Sequence, residues 1–216
     1  MNRFAMRSLF SPNLFARKAA VLAAAVVSAM LLPLALAGCG KGDAPPAEPP
    51  LAGAAIGGPF TLIDKGGKQV RWTDFAGKYR IVYFGYTFCP DVCPLDVQAM
   101  MQGYAAFQKS DPDRAARVQP IFITIDPARD TPEKVGEFAA AFSPRLLGLT
   151  GSADQVAAAA KAFAVYYARG TETSGGYLMD HTRIAYLMAP DGQPIAMLPV
   201  DKGGKAVAAE LDTWVK

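Results

Sequence analysis

Read for its apolar and polar positions, the chain divides into stretches of different character. Ala19 to Ala37 is almost wholly apolar, rich in Ala, Val and Leu. Lys41 to Gly58 is rich in Pro, Gly and Ala with little periodicity, and reads as a linker. From Pro59 the pattern becomes ordered. Phe60 to Ile63 and Gln69 to Trp72 flank a Gly66-Gly67 turn signal and predict a hairpin. Tyr79 to Tyr86 is a β-rich apolar run that predicts a buried strand, and Leu95 to Lys109 has apolar positions at helical spacing. Val118 to Ile125 predicts a second buried strand. A helix follows whose start is marked by Asp130-Thr131-Pro132-Glu133, supplying cap oxygens and a first-turn proline. Leu146 to Leu149 reads as a short edge strand and Ser152 to Phe163 as an Ala-rich helix. Arg183 to Met188 and Ile195 to Leu198 flank an Asp191-Gly192 turn, and Lys205 to Val215 closes as a helix. There is no internal repeat. Strands alternating with helices and ending in a hairpin plus helix predict an α/β fold, a central mixed sheet covered on both faces, with the first hairpin as an N-terminal addition.

Arg3, Arg7, Arg17 and Lys18 precede the long apolar run, which is the layout of an exported signal segment. The run ends in Leu36-Ala37-Gly38-Cys39, which resembles the lipobox of bacterial lipoproteins, so Cys39 is expected to carry lipid. The alternative is an uncleaved anchor, because the run approaches the roughly 18 to 20 apolar residues that span a bilayer. Pro33 and the Gly-Cys ending favour the lipoprotein. Either way the remainder lies outside the cytoplasm on a membrane tether, on the periplasmic face of a bacterial cell envelope. The expected organisation is a signal peptide over 1–38, a linker over 39–58 and one domain over 59–216. The whole chain has a net charge of +3. Without residues 1–38 it has 18 basic against 19 acidic residues, a net −1. That balance, with no basic stretch interleaved with aromatics, gives no reason to expect nucleic-acid binding.

If Cys39 carries lipid, the other cysteines are Cys89 and Cys93, in Thr87-Phe-Cys-Pro-Asp-Val-Cys-Pro94 where strand becomes helix. In an exported protein a structural disulfide is the first reading. A bridge between residues four apart, however, closes a very short loop and removes little unfolded-state entropy. A helix N-terminus lowers thiol pKa and favours the thiolate needed for nucleophilic attack and for metal binding, with Asp91 opposing. If both cysteines fall in the first helical turn, their spacing puts the sulfurs on one face, where they chelate one soft ion or form a disulfide. His181 is the single histidine of the chain. Two thiolates plus an imidazole suit Cu(I), whereas Cu(II) wants a further donor, and Zn(II) accepts the same set plus water. Without metal, the same cysteines would serve as a thiol-disulfide reductase, Cys89 attacking and Cys93 resolving. A thiol peroxidase is a more distant reading.

The run Phe84-Gly-Tyr-Thr-Phe-Cys89-Pro-Asp-Val-Cys93-Pro94, with Asp126-Pro-Ala-Arg129-Asp-Thr-Pro132 and Asp180-His181-Thr182, closely resembles the Sco/SenC family from Pro59 onward. That resemblance implies a thioredoxin-like fold that binds copper, as Cu(I), Cu(II) or both, through Cys89, Cys93 and His181. It implies a metallochaperone rather than an ordinary enzyme, delivering copper to the CuA site in subunit II of cytochrome c oxidase or reducing that site's cysteines. An upstream copper donor or thiol reductant would then supply it. Sensing would use the same residues. The His motif reads Asp-His-Thr where the family more often has Asp-His-Ser, a change that keeps the hydroxyl. Gly40 stands where lipoproteins of the inner membrane often carry Asp, yet an oxidase-assembly role favours that membrane. Arg129 and Asp126 are candidates to organise the site from behind its ligands, or simply to pack as an ion pair. Asp130, Thr131 and Pro132 are explained as a helix start. Phe84, Tyr86 and Phe88 read as core or site walls, and Met179 is a weaker candidate for an axial donor.

Overall fold

A strand covered on both faces must be apolar nearly throughout, and in Tyr79–Gly85 (β3) all seven residues are buried. The exception in type is Arg80. Its guanidinium donates to the carbonyls of Ala189 at 2.7 Å and Pro190 at 3.2 Å, and lies over the Trp72 ring at 4.4 Å. The computed structural model describes residues 48–173 and 176–216, so the signal-like segment 1–38 and Cys39 lie outside the described residues. Before β3 come β1 (Thr61–Ile63) and β2 (Gln69–Arg71), the expected antiparallel hairpin. After it come α1 (Val92–Ser110), α2 (Pro112–Ala116), β4 (Val118–Thr124), α3 (Pro132–Phe142), β5 (Leu147–Leu149) and α4 (Ala153–Ala162). The chain continues through β6 (Tyr167–Thr173), β7 (Gly176–His181), β8 (Ala185–Met188), β9 (Pro194–Leu198) and α5 (Gly204–Trp214).

The central sheet has the order β5-β4-β3-β8-β9. β4 pairs in parallel with β3 and β5, while β8 runs antiparallel to β3 and β9. Adjacent residues of a strand point to opposite faces. On β3, the Tyr83 hydroxyl reaches Asp96 of α1, whereas the Phe84 ring meets Phe163 at the end of α4. Helices therefore cover both faces, and the fold is thioredoxin-like. Among the described residues, every fully buried apolar side chain lies between Phe60 and Val215. The packed body nevertheless starts inside the Pro- and Gly-rich stretch. Leu51 N–H donates to the Ile195 carbonyl at 3.0 Å and Gly57 N–H to that of Ala162 at 2.8 Å. Leu51 and Ile56 also pack against the core. Among the described residues no helix is long and apolar enough to cross a membrane.

Where α1 crosses α5, a Cβ built on Gly103 would lie 2.5 Å from the Val207 side chain and 2.8 Å from the Gly204 carbonyl oxygen. The helices approach this closely because the position is glycine. Gly103→Ala is therefore expected to destabilise the fold by about 1–3 kcal/mol through overpacking, despite alanine's better helix propensity. A urea midpoint shift with unchanged slope checks this.

Two elements are absent from the pattern of the sequence. The short α2 is capped by Asp111, whose side chain accepts from Arg114 N–H at 3.0 Å, and begins with Pro112. The β6–β7 hairpin forms a separate two-stranded sheet and carries His181 at the end of β7, opposite Tyr167. Its sequence does not alternate, its register shifts between Arg169 and Glu172, and its second strand is only half-buried. Neither signal on which a strand reading depends is present there. Two boundaries also move: α1 begins at Val92 rather than Leu95, and β8 begins at Ala185 rather than Arg183.

Candidate metal centre

The turn after β3 delivers the cysteines. Cys89 N–H donates to the Tyr86 carbonyl at 3.3 Å, and the chain enters α1 with Asp91 as N-cap. Cys89 thus precedes the helix and Cys93 sits in its first turn, so the sulfurs do not share a helical face as the spacing suggests. They meet differently. The first N–H groups of a helix lack partners within it. The Asp91 side chain makes no cap bond, and Cys93 N–H donates instead to Cys89 Sγ at 3.3 Å. Cys93 is fully buried and Cys89 is 8% exposed. Space for the inner sulfur comes from Gly85, where a Cβ would lie 3.3 Å from Cys93 Sγ and 3.0 Å from both Phe122 and Tyr83.

This arrangement separates the two thiols electrostatically. A hydrogen bond from Cys93 pushes the Cys89 thiol down, to about 3, helped by His181 and by the N–H groups of Asp91 and Cys93 and opposed by burial. The same bond, which Cys93 donates, and its burial push the Cys93 thiol up. Of the two, Cys89 is the more readily ionised and Cys93 the more firmly protonated. Iodoacetamide at pH 7 is accordingly expected to label Cys89 at least tenfold faster than Cys93, roughly as exposure and thiolate fraction dictate. The Cys89 rate should stay nearly flat from pH 8 to pH 5, where an ordinary thiol slows about tenfold per unit below its pKa of about 8.5. Peptide mass spectrometry of a timed labelling series reads both. Equal rates, or a normal fall with pH, would remove the asymmetry.

His181 arrives from β7. Its Nδ1 lies 3.0 Å from the Thr182 carbonyl oxygen, which can only accept, so Nδ1 carries the hydrogen. Nε2 faces Cys93 Sγ at 3.2 Å. The rings of Tyr83 and Tyr86 stand edge-on to the imidazole, centroids 6.4 Å and 6.0 Å away. Burial pushes the Tyr86 hydroxyl up to about 12, and Tyr86 is a wall of the site. Phe84 is fully buried core, Phe88 is 44% exposed beside Cys89, and Met179 is partly buried against the core on the strand that ends in His181.

Among the described residues no three His, Cys, Asp or Glu side chains are spaced as a ready-made metal cage. Cys89, Cys93 and His181 lie instead against one another. With metal–sulfur and metal–nitrogen bonds of about 2.3 and 2.0 Å at a tetrahedral angle, sulfur and nitrogen sit about 3.5 Å apart. The observed 3.2 Å between Cys93 Sγ and His181 Nε2 is within a few tenths of that. The donor set is soft, electron-rich and closely fitted to a thiophilic cation.

Three carboxylates support this centre, and only Asp126 and Asp130 belonged to a motif visible in the sequence. Asp130 is fully buried and is not the helix cap. Thr131 is, its hydroxyl accepting from Lys134 N–H at 3.4 Å. Asp130 instead accepts from Thr87 N–H at 2.9 Å, the Thr87 hydroxyl at 2.6 Å and the Thr124 hydroxyl at 2.6 Å, fixing the cysteine turn to the end of β4. Asp126 and Arg129 pair at 2.5 Å. Asp96, one turn along α1 from Cys93, accepts from the Tyr83 hydroxyl at 2.9 Å and from Arg183 Nε and Nη2 at 3.1 and 2.8 Å. An acid on the buried face of an apolar helix was the available signal for Asp96, since such a group is rarely left unpaired.

Comparison with known proteins places these residues in context. Residues 48–216 match the family model described as SCO1/SenC. Protein SCO1 homolog 1, mitochondrial, of Arabidopsis thaliana is 43% identical over 145 residues, 67% of this chain and 42% of that protein. Protein SenC of Rhodobacter capsulatus is 44% identical over 139 residues, 64% of this chain and 61% of that protein. The crystal structure of Arabidopsis thaliana ScoI with copper bound superposes with a TM-score of 0.69 at 34% identity, covering 74% of this chain and 98% of that one. The chain spans about half the length of the first curated relatives it matches.

Proposed function

Because the chain belongs to the SCO1/SenC family, we propose that it binds copper through Cys89, Cys93 and His181 and delivers it to the CuA site of cytochrome c oxidase subunit II. The observation that carries this reading is the approach of His181 Nε2 to Cys93 Sγ at 3.2 Å, across 88 residues of sequence, beside a second sulfur. A solved ScoI structure that superposes on this domain has copper bound, which supports the choice of metal. The site opens through Cys89 and the half-exposed Phe88 while Cys93 stays inside, so cargo enters and leaves past Cys89. Cys39, as a lipid anchor, and the stretch after it would hold the domain at the periplasmic face of the membrane where an oxidase client resides.

The asymmetry of the two thiols favours a companion activity. The Cys89 thiolate would attack a client disulfide, forming a mixed disulfide and releasing one client thiolate. Cys93 would then attack Cys89 Sγ, releasing the second and leaving the Cys89–Cys93 pair oxidised, two electrons having passed to the client. An upstream thiol reductant would restore the pair. Reducing client cysteines and then loading them uses the same residues in sequence.

The domain 48–216 contains the whole described core and matches a solved chain over 98% of its length, so it can be tested alone. Anaerobic titration of the reduced domain with Cu(I), against a competing chelator, is expected to give one tightly held ion per chain. His181→Ala, which removes a ligand, should weaken it at least as much as loss of a ligand-orienting group does, about 10- to 100-fold or more. No stoichiometric binding, or equal affinity in the variant, would overturn the site and leave the dithiol activity as the function.

A further inference from the structure

His181 stands on a hairpin that belongs to no other sheet, so something outside the hairpin must hold its ring against the cysteines. The polar contacts that do so lie on either side of it. Four residues before His181, the Tyr177 carbonyl accepts from Arg129 Nη1 at 2.7 Å. The Tyr177 hydroxyl donates to Asp126 Oδ1 at 2.8 Å, and its ring lies 3.6 Å beneath the Arg129 guanidinium. Asp126 in turn accepts from Arg129 Nε at 2.5 Å, closing a three-member clasp at the end of β4. Two residues after His181, Arg183 grips Asp96 with two nitrogens, and Asp96 rides on α1 one turn from Cys93. Both carboxylate partners have side chains only 3% exposed.

We infer that Arg129 and Arg183 are positioning residues for His181, forming a clamp that sets the gap between the imidazole and the cysteine turn. Arg129 divides its fork between the nearly buried Asp126, just past β4, and the Tyr177 carbonyl, while Arg183 sets two nitrogens on the nearly buried Asp96 of α1. Such bidentate or shared pairs fix geometry as well as charge. Neither arginine hydrogen-bonds to the sulfurs or the imidazole. Lysine, with a single point of charge, cannot reproduce either the shared or the two-nitrogen contact.

As a statement about copper the inference rests on the proposed function, but its test separates the two. His181 is the single histidine, so its ring C–H signals assign themselves in the NMR spectrum of the 48–216 domain. In copper-free protein, Arg129→Gln and Arg183→Gln are each expected to move and broaden those signals while methyl signals of the core stay in place. For copper, each is expected to lower Cu(I) affinity by about 10- to 100-fold, as removal of groups that orient ligands does. In a His181→Ala background neither should lower it further. If Arg129→Gln fails to fold, Tyr177→Phe removes the Asp126 bond alone and should give the same displacement in smaller degree. Unmoved ring signals would overturn the clamp. So would an affinity loss of the same size with and without His181, which would mark the arginines as general supports. Moved ring signals in a domain that binds no copper would uphold the clamp and overturn the metal.

Discussion

Asp130→Ala is expected to destabilise the 48–216 domain by about 3–5 kcal/mol, because it strands several buried donors at once. The carboxylate accepts from the Thr87 N–H, the Thr87 hydroxyl and the Thr124 hydroxyl. Thr124 is already committed on its other side, its oxygen accepting Asp126 N–H at 3.0 Å, so its hydrogen has no second direction to turn. Asp130→Asn is a different matter. The amide oxygen can take the place of Oδ2 and accept from Thr87 N–H and Thr124, while the NH2 donates to a Thr87 hydroxyl that rotates its own hydrogen away. The expected cost of Asn is within about 1 kcal/mol at neutral pH. Its sign changes with pH. Burial pushes the Asp130 carboxyl up from 3.8 despite the opposing hydrogen bonds. The folded protein therefore holds this proton more tightly than the unfolded chain, and wild type loses stability as pH rises from 3.8 through the raised folded value. Asn has no such slope. Urea unfolding at pH 3.5 and pH 7 should show the Asn variant gaining on wild type at the higher pH. A tolerated Asp130→Ala would show that the turn is held by something else.

Asp130 also marks the limit of what the sequence makes legible. Its neighbours Thr131, Pro132 and Glu133 do start a helix, and an acid in front of them reads naturally as the cap. Only the tertiary structure turns the side chain inward to the cysteine turn. The central strands were readable because burial on both faces forces a nearly continuous apolar run, Ile81 to Phe84 in β3 and Ile121 to Ile123 in β4. The β6–β7 hairpin was not, because a half-buried ribbon of Gly, Thr and charged residues satisfies its backbone without showing period two. The spacing of Cys89 and Cys93 pointed to their partnership and misplaced its geometry, since helix start and sulfur direction depend on which atom caps the orphan N–H groups. Nothing local joined His181 to them. That link came from the likeness of three separated motifs to one family, and the chain's membership is now shown over residues 48–216.

Cys93→Ser is expected to lower Cu(I) affinity by about three orders of magnitude, roughly the share of one ligand in a three-ligand soft site whose total binding energy resembles that of structural metal sites. The hydroxyl matches the sulfur in shape and donates as the thiol does, so the fold should survive. As a hard oxygen that stays protonated, it contributes little to a soft ion. Cys89→Ser removes the thiolate of the pair and should cost at least as much. The contrast with His181→Ala reports what the site is built for. At the proposed site Cu(I) would be held chiefly by the two sulfurs, so loss of the imidazole should cost it less than loss of either cysteine. Cu(II) is less soft and has three donors at most here, so loss of the imidazole should cost it as much as loss of a cysteine. Parallel competition titrations of the three variants with both ions give that ratio directly. A His181→Ala loss that is small for Cu(I) and large for Cu(II) would mean that the hairpin carrying His181 governs retention of the oxidised ion while the cysteine turn governs the reduced one. Release to a client would then be controlled by electron transfer to the ion as much as by contact with the acceptor.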